Sequence, residues 1–220
     1  MAANIIFFGD SICLGQHVSP HQCWVTRLSG MIEDRYGREF VVVNASVNGS
    51  TTRTALERIS DSLQKFELSM IVIQFGLNDS NLWETDRGLP RVSSAGFRAN
   101  LVEIIERARR FGAQEVILNT NHPTLKRTPE GKMFDQYQEN NHRYSEIIRE
   151  VAGADSEVTL VDVEAVVYGA VTDDSGLQTL LLEDGIHLAL AGHDLYFEAL
   201  KAPVISSLKR IVSAEVIRSG

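Results

Sequence analysis

Five short apolar runs constrain this chain more than anything else in it: Ile5–Phe8, Phe40–Val43, Met70–Phe75, Glu115–Asn119 and Val158–Val161. Each has the length of a strand and is bounded by polar or Gly-containing turns. Between them lie stretches with helical spacing, expected at 23–36, 53–66, 95–111, 133–151 and 191–213. In the first, Trp24, Leu28, Met31 and Ile32 share a face; in the third, Phe97, Leu101, Ile104, Ile105 and Ala108 do. Residues 163–182 read as helical pieces broken near Gly169 and Gly176, and Pro203 is expected to kink or divide the last helix. Strands that alternate with helices pair in parallel through right-handed crossovers. Strands this apolar belong to a sheet covered on both faces. The expected fold is α/β, one three-layer α/β/α domain over residues 1–220.

Composition narrows the partners. Asp and Glu number 29 against 21 Lys and Arg, a formal charge of -8 without a basic run. That argues against nucleic acid or an anionic membrane as the main partner. No window reaches the ~20 apolar residues of a membrane span. The first apolar run has no basic region before it and runs straight into Gly9-Asp10, so no signal peptide is read and a cytoplasmic location is expected. Two cysteines, Cys13 and Cys23, make no disulfide framework and no zinc motif. Cys23 reads as a small core residue and Cys13 as a thiol near the site. No metal and no organic cofactor is implied, and the oligomeric state is not legible.

The polar residues are less evenly spread. Asp10-Ser11, the tract 44–52, Gly76-Leu77-Asn78-Asp79 and 119–122 each follow an apolar run. In a parallel sheet those ends share one edge, where ligands bind in open α/β folds. Convergence there suits an active site, and core packing does not require it. Ser11 stands where a buried strand stops, so its hydroxyl can face a cleft. The plainer reading makes Gly9-Asp10-Ser11 a turn with Ser11 capping a helix. A serine nucleophile needs an imidazole base and an acid to orient it. Asp184-Gly185-Ile186-His187 offers both from one Gly-containing loop, although such a spacing alone is a weak signal. Donors for an oxyanion would be the N–H groups of Ser11 and Gly49 and the Asn78 side chain. The polar loops 80–93 and 121–132 flank this edge, with Trp83 and His122 as possible pocket residues beside Asp10 and Asp79. His17, His21, His122, His142 and His193 otherwise read as structural. Pro20 between His17 and His21 argues against a helical metal pair.

Gly9-Asp10-Ser11-Ile12, Gly49, Gly76-x-Asn78-Asp79 and Asp184-x-x-His187 resemble, in that order, the four sequence blocks of the SGNH (GDSL-type) hydrolases. No single block is specific; their ordered combination over residues 9–187 is. The resemblance implies a flavodoxin-like sheet of order 2-1-3-4-5 and a serine esterase. It makes Ser11 the nucleophile, His187 the base, Asp184 its partner, and Ser11, Gly49 and Asn78 the oxyanion hole. Asp10 and Asp79 match the blocks and are expected to fix loops. Cys13 departs from the usual residue at its position without touching the triad. The expected substrate is a small-molecule ester with a short acyl group, such as acetyl on a sugar. The absence of a long apolar lid and Trp83, which can stack on a sugar, favour it. Leu82, Leu89, Leu125 and Met133 keep a lipase- or thioesterase-like preference for longer chains open. Because the base must be neutral, activity is expected to fall in acid. Two readings from other classes compete. A non-catalytic ligand-binding module would bind without turnover. A flavodoxin-type nucleotide binder suits the architecture but lacks a Gly-rich phosphate loop, Ser50-Thr51-Thr52 being its only candidate contact.

Overall fold

The computed structural model describes residues 3–83, 87–126 and 137–219, with side chains as far as Ala214. In chain order the elements are β1 (Ala3–Gly9), α1 (Ser11–Leu14), α2 (Trp24–Tyr36), β2 (Phe40–Asn44), α3 (Thr52–Glu57), β3 (Leu68–Gln74), α4 (Ser94–Arg110), β4 (Glu115–Asn119), α5 (Tyr137–Gly153), β5 (Val158–Val161), α6 (Val163–Ala170), α7 (Asp174–Leu180) and α8 (Leu190–Ser219). The strands form one sheet of order β2-β1-β3-β4-β5, and every neighbouring pair is parallel. That is the order the sequence resemblance implied.

The two-residue period of the strands sorts their side chains into two layers. Ile5 and Phe7 of β1, Met70 and Val72 of β3 and Ile117 of β4 face one cluster. It is completed by Trp24, Leu28 and Ile32 of α2 and by Tyr196, Leu200, Val204 and Leu208 of α8. Ile6 and Phe8, Ile71 and Ile73, and Val116 and Leu118 face the other, against Phe97, Leu101 and Ile104 of α4 and Tyr144 and Ile148 of α5. Central β3 is buried along its whole length. Strand β2, read from sequence as buried, is an edge strand, and Val41 is 45% exposed. Phe40 and Val42 pack on one face and Val43 on the other, while the outer edge stays open.

Several boundaries differ from the sequence reading, each for a local reason. The stretch 10–22, which lies between the first apolar run and the first expected helix, opens with the single turn α1. Asp10, not Ser11, caps it: its Oδ1 accepts the Ile12 N–H at 3.0 Å. The helix expected over 53–66 divides into α3 and a π-helical turn at Ser60–Gln64. The junction residue, Arg58, reaches back to the sheet, donating to the carbonyls of Ala45 at 2.6 Å and Gly9 at 3.3 Å. Residues 163–182 break at 171–173 rather than at Gly176, because Asp173 accepts the Gly176 N–H at 2.8 Å and so starts α7. Helix α8 runs through Pro203 undivided. Its buried ridge of Tyr196, Leu200, Val204, Leu208 and Ile211 holds it against the sheet. The expected start of α5 at 133–136, residues 127–132 of the 121–132 loop and Met133 lie outside the described residues.

Gly9 marks a close approach of the chain to itself. A Cβ there would meet the Cys13 Cβ and the Gln74 carbonyl oxygen, each at 2.7 Å. So α1 sits directly on the end of β1, and Trp24 supports it from below. The indole Nε1 donates to the Ile12 carbonyl at 2.9 Å, and the ring packs edge-on against Phe7 at 5.5 Å. Trp24→Ala is expected to cost about 3–5 kcal/mol of unfolding free energy. Trp24→Phe, which keeps most of the area but strands the carbonyl, is expected to cost about 1–3 kcal/mol. Urea denaturation of both variants checks the order.

Candidate active site

The site is assembled from the carboxyl ends of β1, β2 and β3 and from the loop before α8. Ser11 is the first residue of α1, 6% exposed. His187 arrives on the turn 183–188, whose register is set by the pairing of Leu182 N–H with the His187 carbonyl at 2.7 Å. Its Nε2 lies 3.0 Å from Ser11 Oγ, and its Nδ1 lies 2.5 Å from Asp184 Oδ2. The other Asp184 oxygen accepts the N–H groups of Ile186 and His187, both at 2.9 Å. Partial burial works against ionisation of Asp184. The hydrogen bonds from the His187 ring and from these two N–H groups outweigh it and hold the carboxyl below its ordinary range. The arrangement is a carboxylate, an imidazole and a hydroxyl in series, the geometry that lets a hydroxyl lose its proton as it attacks.

Two candidate oxyanion donors are backbone groups. Gly49 has φ 71°, a left-handed conformation that turns the chain after β2. Among the described residues, the N–H groups of Ser11 and Gly49 are not spent on any internal acceptor. The Gly49 carbonyl is held by Arg91 Nη1 at 3.1 Å, and the Arg91 guanidinium stacks 4.5 Å from the Trp83 ring centre. The third donor, Asn78 Nδ2, lies 3.3 Å from Asp10 Oδ2.

Asp10, Asp79 and His122, expected among the pocket residues, are closed to solvent, at 0%, 0% and 1% exposure. They brace the site from behind. Asp10 joins α1 to the Asn78 amide. Asp79 Oδ1 accepts the Thr52 N–H at 2.9 Å and the Thr52 hydroxyl at 2.5 Å, tying the loop after β3 to the start of α3. His122 Nε2 donates to the Ile186 carbonyl at 2.7 Å, in the middle of the Asp184–His187 turn, while its Nδ1 accepts from the Tyr196 hydroxyl at 2.7 Å. Burial lowers the His122 pKa to about 4 and keeps the ring neutral. Of the expected pocket residues only Trp83 is exposed, at 47%. Cys13 is fully buried, and burial pushes its thiol well up, so it is inert.

Three participants escaped the sequence reading. Arg91 and Arg58 gave no signal beyond being single basic residues in polar stretches. His17, read as structural, stands edge-on to His187 with ring centres 5.0 Å apart. Nothing in its neighbourhood along the chain pointed across to a residue so far away.

A three-layer sheet with a serine, an imidazole and a carboxylate aligned at its carboxyl edge defines a serine hydrolase of the SGNH class. Residues 7–195 match the GDSL-like Lipase/Acylhydrolase family, and the chain belongs to that family. It is similar to the esterase TesA of Pseudomonas aeruginosa, with 28% identity over 197 residues, covering 90% of this chain and 85% of that protein. Among solved structures, a lipase/acylhydrolase from Enterococcus faecalis superposes with a TM-score of 0.72 at 26% identity, covering 92% of this chain and 95% of the other. Axe2, an acetylxylan esterase from Geobacillus stearothermophilus, has a TM-score of 0.70 at 20% identity, covering 90% and 93%, and shares the fold. The protein is a carboxylic ester hydrolase of this family.

Two predictions follow from the buried carboxyls. Burial raises Asp10 to about 7 and Asp79 to about 6. An ionised Asp10 can only accept, so it selects the Asn78 orientation that presents Nδ2; a protonated one can donate and release that choice. Asp10→Asn is expected to lower kcat by about 10²-fold, the scale of one lost oxyanion donor. It should also remove the part of the acid-limb loss of kcat that Asp10 contributes. For stability the sign is the reverse of the usual carboxylate. With a folded pKa above the unfolded one, the native state holds extra protons between about 4 and about 6, and the stability from Asp79 is lost as pH rises through that window. Asp79→Asn keeps the oxygen that Thr52 needs. Its Tm relative to wild type is therefore expected to be higher at pH 8 than at pH 5, by differential scanning calorimetry.

Proposed function

We propose that Ser11, His187 and Asp184 carry out ester hydrolysis through an acyl-enzyme, and that the natural substrate bears a short acyl group on a carbohydrate or other small molecule. The observation that carries the mechanism is the unbroken series Asp184 Oδ2–His187 Nδ1 at 2.5 Å and His187 Nε2–Ser11 Oγ at 3.0 Å. Ser11 Oγ attacks the ester carbonyl and its proton passes to His187 Nε2. Asp184 holds the Nδ1–H and stabilises the imidazolium. The oxyanion is received by the N–H groups of Ser11 and Gly49 and by Asn78 Nδ2. Collapse of the tetrahedral species returns the proton from Nε2 to the leaving alcohol. A water molecule, activated by the same nitrogen, then releases the acid.

The short-acyl preference is supported by the rim. Trp83 is exposed, and through Arg91 it is tethered to the Gly49 carbonyl beside the oxyanion hole. Arg91 covers one face of the indole, leaving the other for a sugar ring. The competing preference for longer chains has its own support in Leu89 and Val47, 68% and 47% exposed, and in the lipase/acylhydrolase fold relative. A single domain over 1–220 and a cytoplasmic setting belong to the same proposal. Two hydrophobic layers on one sheet support the first, and two buried free thiols suit a reducing compartment. No helix among the described residues is long and apolar enough to cross a membrane.

Hydrolysis of p-nitrophenyl esters from acetate to decanoate tests the proposal. Wild type is expected to be fastest on acetate or butyrate, and Ser11→Ala to lose at least about 10³-fold in kcat. Activity that survives Ser11→Ala refutes the nucleophile. A maximum at octanoate or decanoate refutes the short-acyl preference.

A further inference from the structure

We propose that His17, Asp184 and His187 form a binding site for a borderline divalent cation, zinc above all, whose occupancy switches the hydrolase off. His17 lies in the loop after α1, 170 residues from its neighbour His187. Its backbone takes φ 71°, a region non-glycine residues seldom adopt. That turn carries the imidazole over the site, perpendicular to the His187 ring at 90°. Gln16 Nε2 donates to His17 Nε2 at 2.9 Å, a bond an ion bound at that nitrogen would replace.

One ligand atom from each of the three residues lies within 4.8 Å of the other two. Tetrahedral zinc with bonds of 2.0–2.1 Å holds its ligand atoms about 3.4 Å apart. The cluster therefore has to contract by little more than ~1 Å on metal binding. His17 and Asp184 have exposed side chains that can supply that movement. Two imidazole nitrogens and a carboxylate oxygen are a donor set zinc prefers, with a fourth position left for water. Among the described residues the other comparable cluster, His142, Glu146 and Glu164, is a poor rival. Arg149 already occupies it, with Nη1 2.6 Å from Glu146 and Nη2 2.8 Å from Glu164.

Inhibition follows whichever His187 nitrogen the ion takes, and this step rests on the role proposed for His187. Coordination at Nδ1 expels its proton to solvent and breaks the bond to Asp184. Coordination at Nε2 occupies the lone pair that would accept the Ser11 proton. In either case the ion is bound reversibly and no covalent bond to substrate changes.

The test is zinc chloride titration of the full chain, read by calorimetry and in parallel by ester hydrolysis. One zinc per chain is expected, with micromolar affinity and matching half-inhibition, reversed by EDTA. His17→Ala should weaken binding and raise the half-inhibiting concentration at least tenfold relative to its own zinc-free rate. His142→Ala should change neither. Equal zinc affinity in wild type and His17→Ala, or no binding below millimolar zinc, overturns the site. Binding that depends on His17 but leaves hydrolysis untouched overturns the switch and counts against His187 as the base. Calorimetry keeps the two readings separate: zinc binding through His17 in a protein that hydrolyses no ester supports the site and defeats the esterase assignment.

Discussion

The hydrogen bond between His187 Nε2 and Ser11 Oγ joins residues 176 positions apart, from opposite ends of the chain. No local propensity can produce it. It exists because the parallel sheet holds the end of β1 between β2 and β3 and because α8 packs across the same layer as α2, delivering the turn 183–188 to that edge. A sheet order that placed β1 at the rim would leave Ser11 facing solvent. The relay is thus a consequence of topology first and of side-chain chemistry second.

Precision comes from a second set of contacts, made by groups that do not touch the relay themselves. Arg58 pulls the carbonyls at the ends of β1 and β2 together. Asp79 ties the loop after β3 to α3, and His122 fixes the carbonyl between Asp184 and His187. These are buried polar groups, and burying each one costs free energy unless it is paired. Asp79 Oδ2 is buried without a partner among the described residues, and burial raises the pKa of both Asp10 and Asp79. The site therefore rests on carboxyl groups that weaken the fold when they ionise. A catalytic edge held rigid by such groups exchanges some stability for position.

This division explains what was legible in the sequence. Strands were readable because an apolar run such as Met70–Ile73 encodes burial on both faces within a few residues. The approximate helices were readable from their 3.6-residue stripes. Ser11, Asn78, Asp184 and His187 were readable because each sits in a short block with its own turn chemistry. What failed depended on partners elsewhere in the fold. An apolar β2 gave no hint that its outer edge is open. The helix over 53–66 looked continuous because the pull of the sheet carbonyls on Arg58 is invisible along the chain. Gly176 looked like a breaker, yet the Asp173 cap three residues earlier decided where α7 begins. His122 was rightly placed near the site, but its buried side chain turns toward Tyr196 and Ile186, a tertiary fact.

His17 and Arg91 make the same point at the surface. Both lie in loops whose sequence reads as generic polar filler, and both contact the machinery from outside the four recognisable blocks. Arg91 holds the Gly49 carbonyl while stacking on Trp83, so a ligand that moves Trp83 acts on Gly49, a residue proposed to donate to the oxyanion. A change in the loop containing Trp83 and Arg91 can therefore alter substrate choice and transition-state stabilisation together. In this fold the edge of the sheet sets the reaction, and the loops that reach over it are coupled to that reaction by single hydrogen bonds. Such coupling is how a shared scaffold can be tuned to different ligands through its loops, without rebuilding the edge of the sheet.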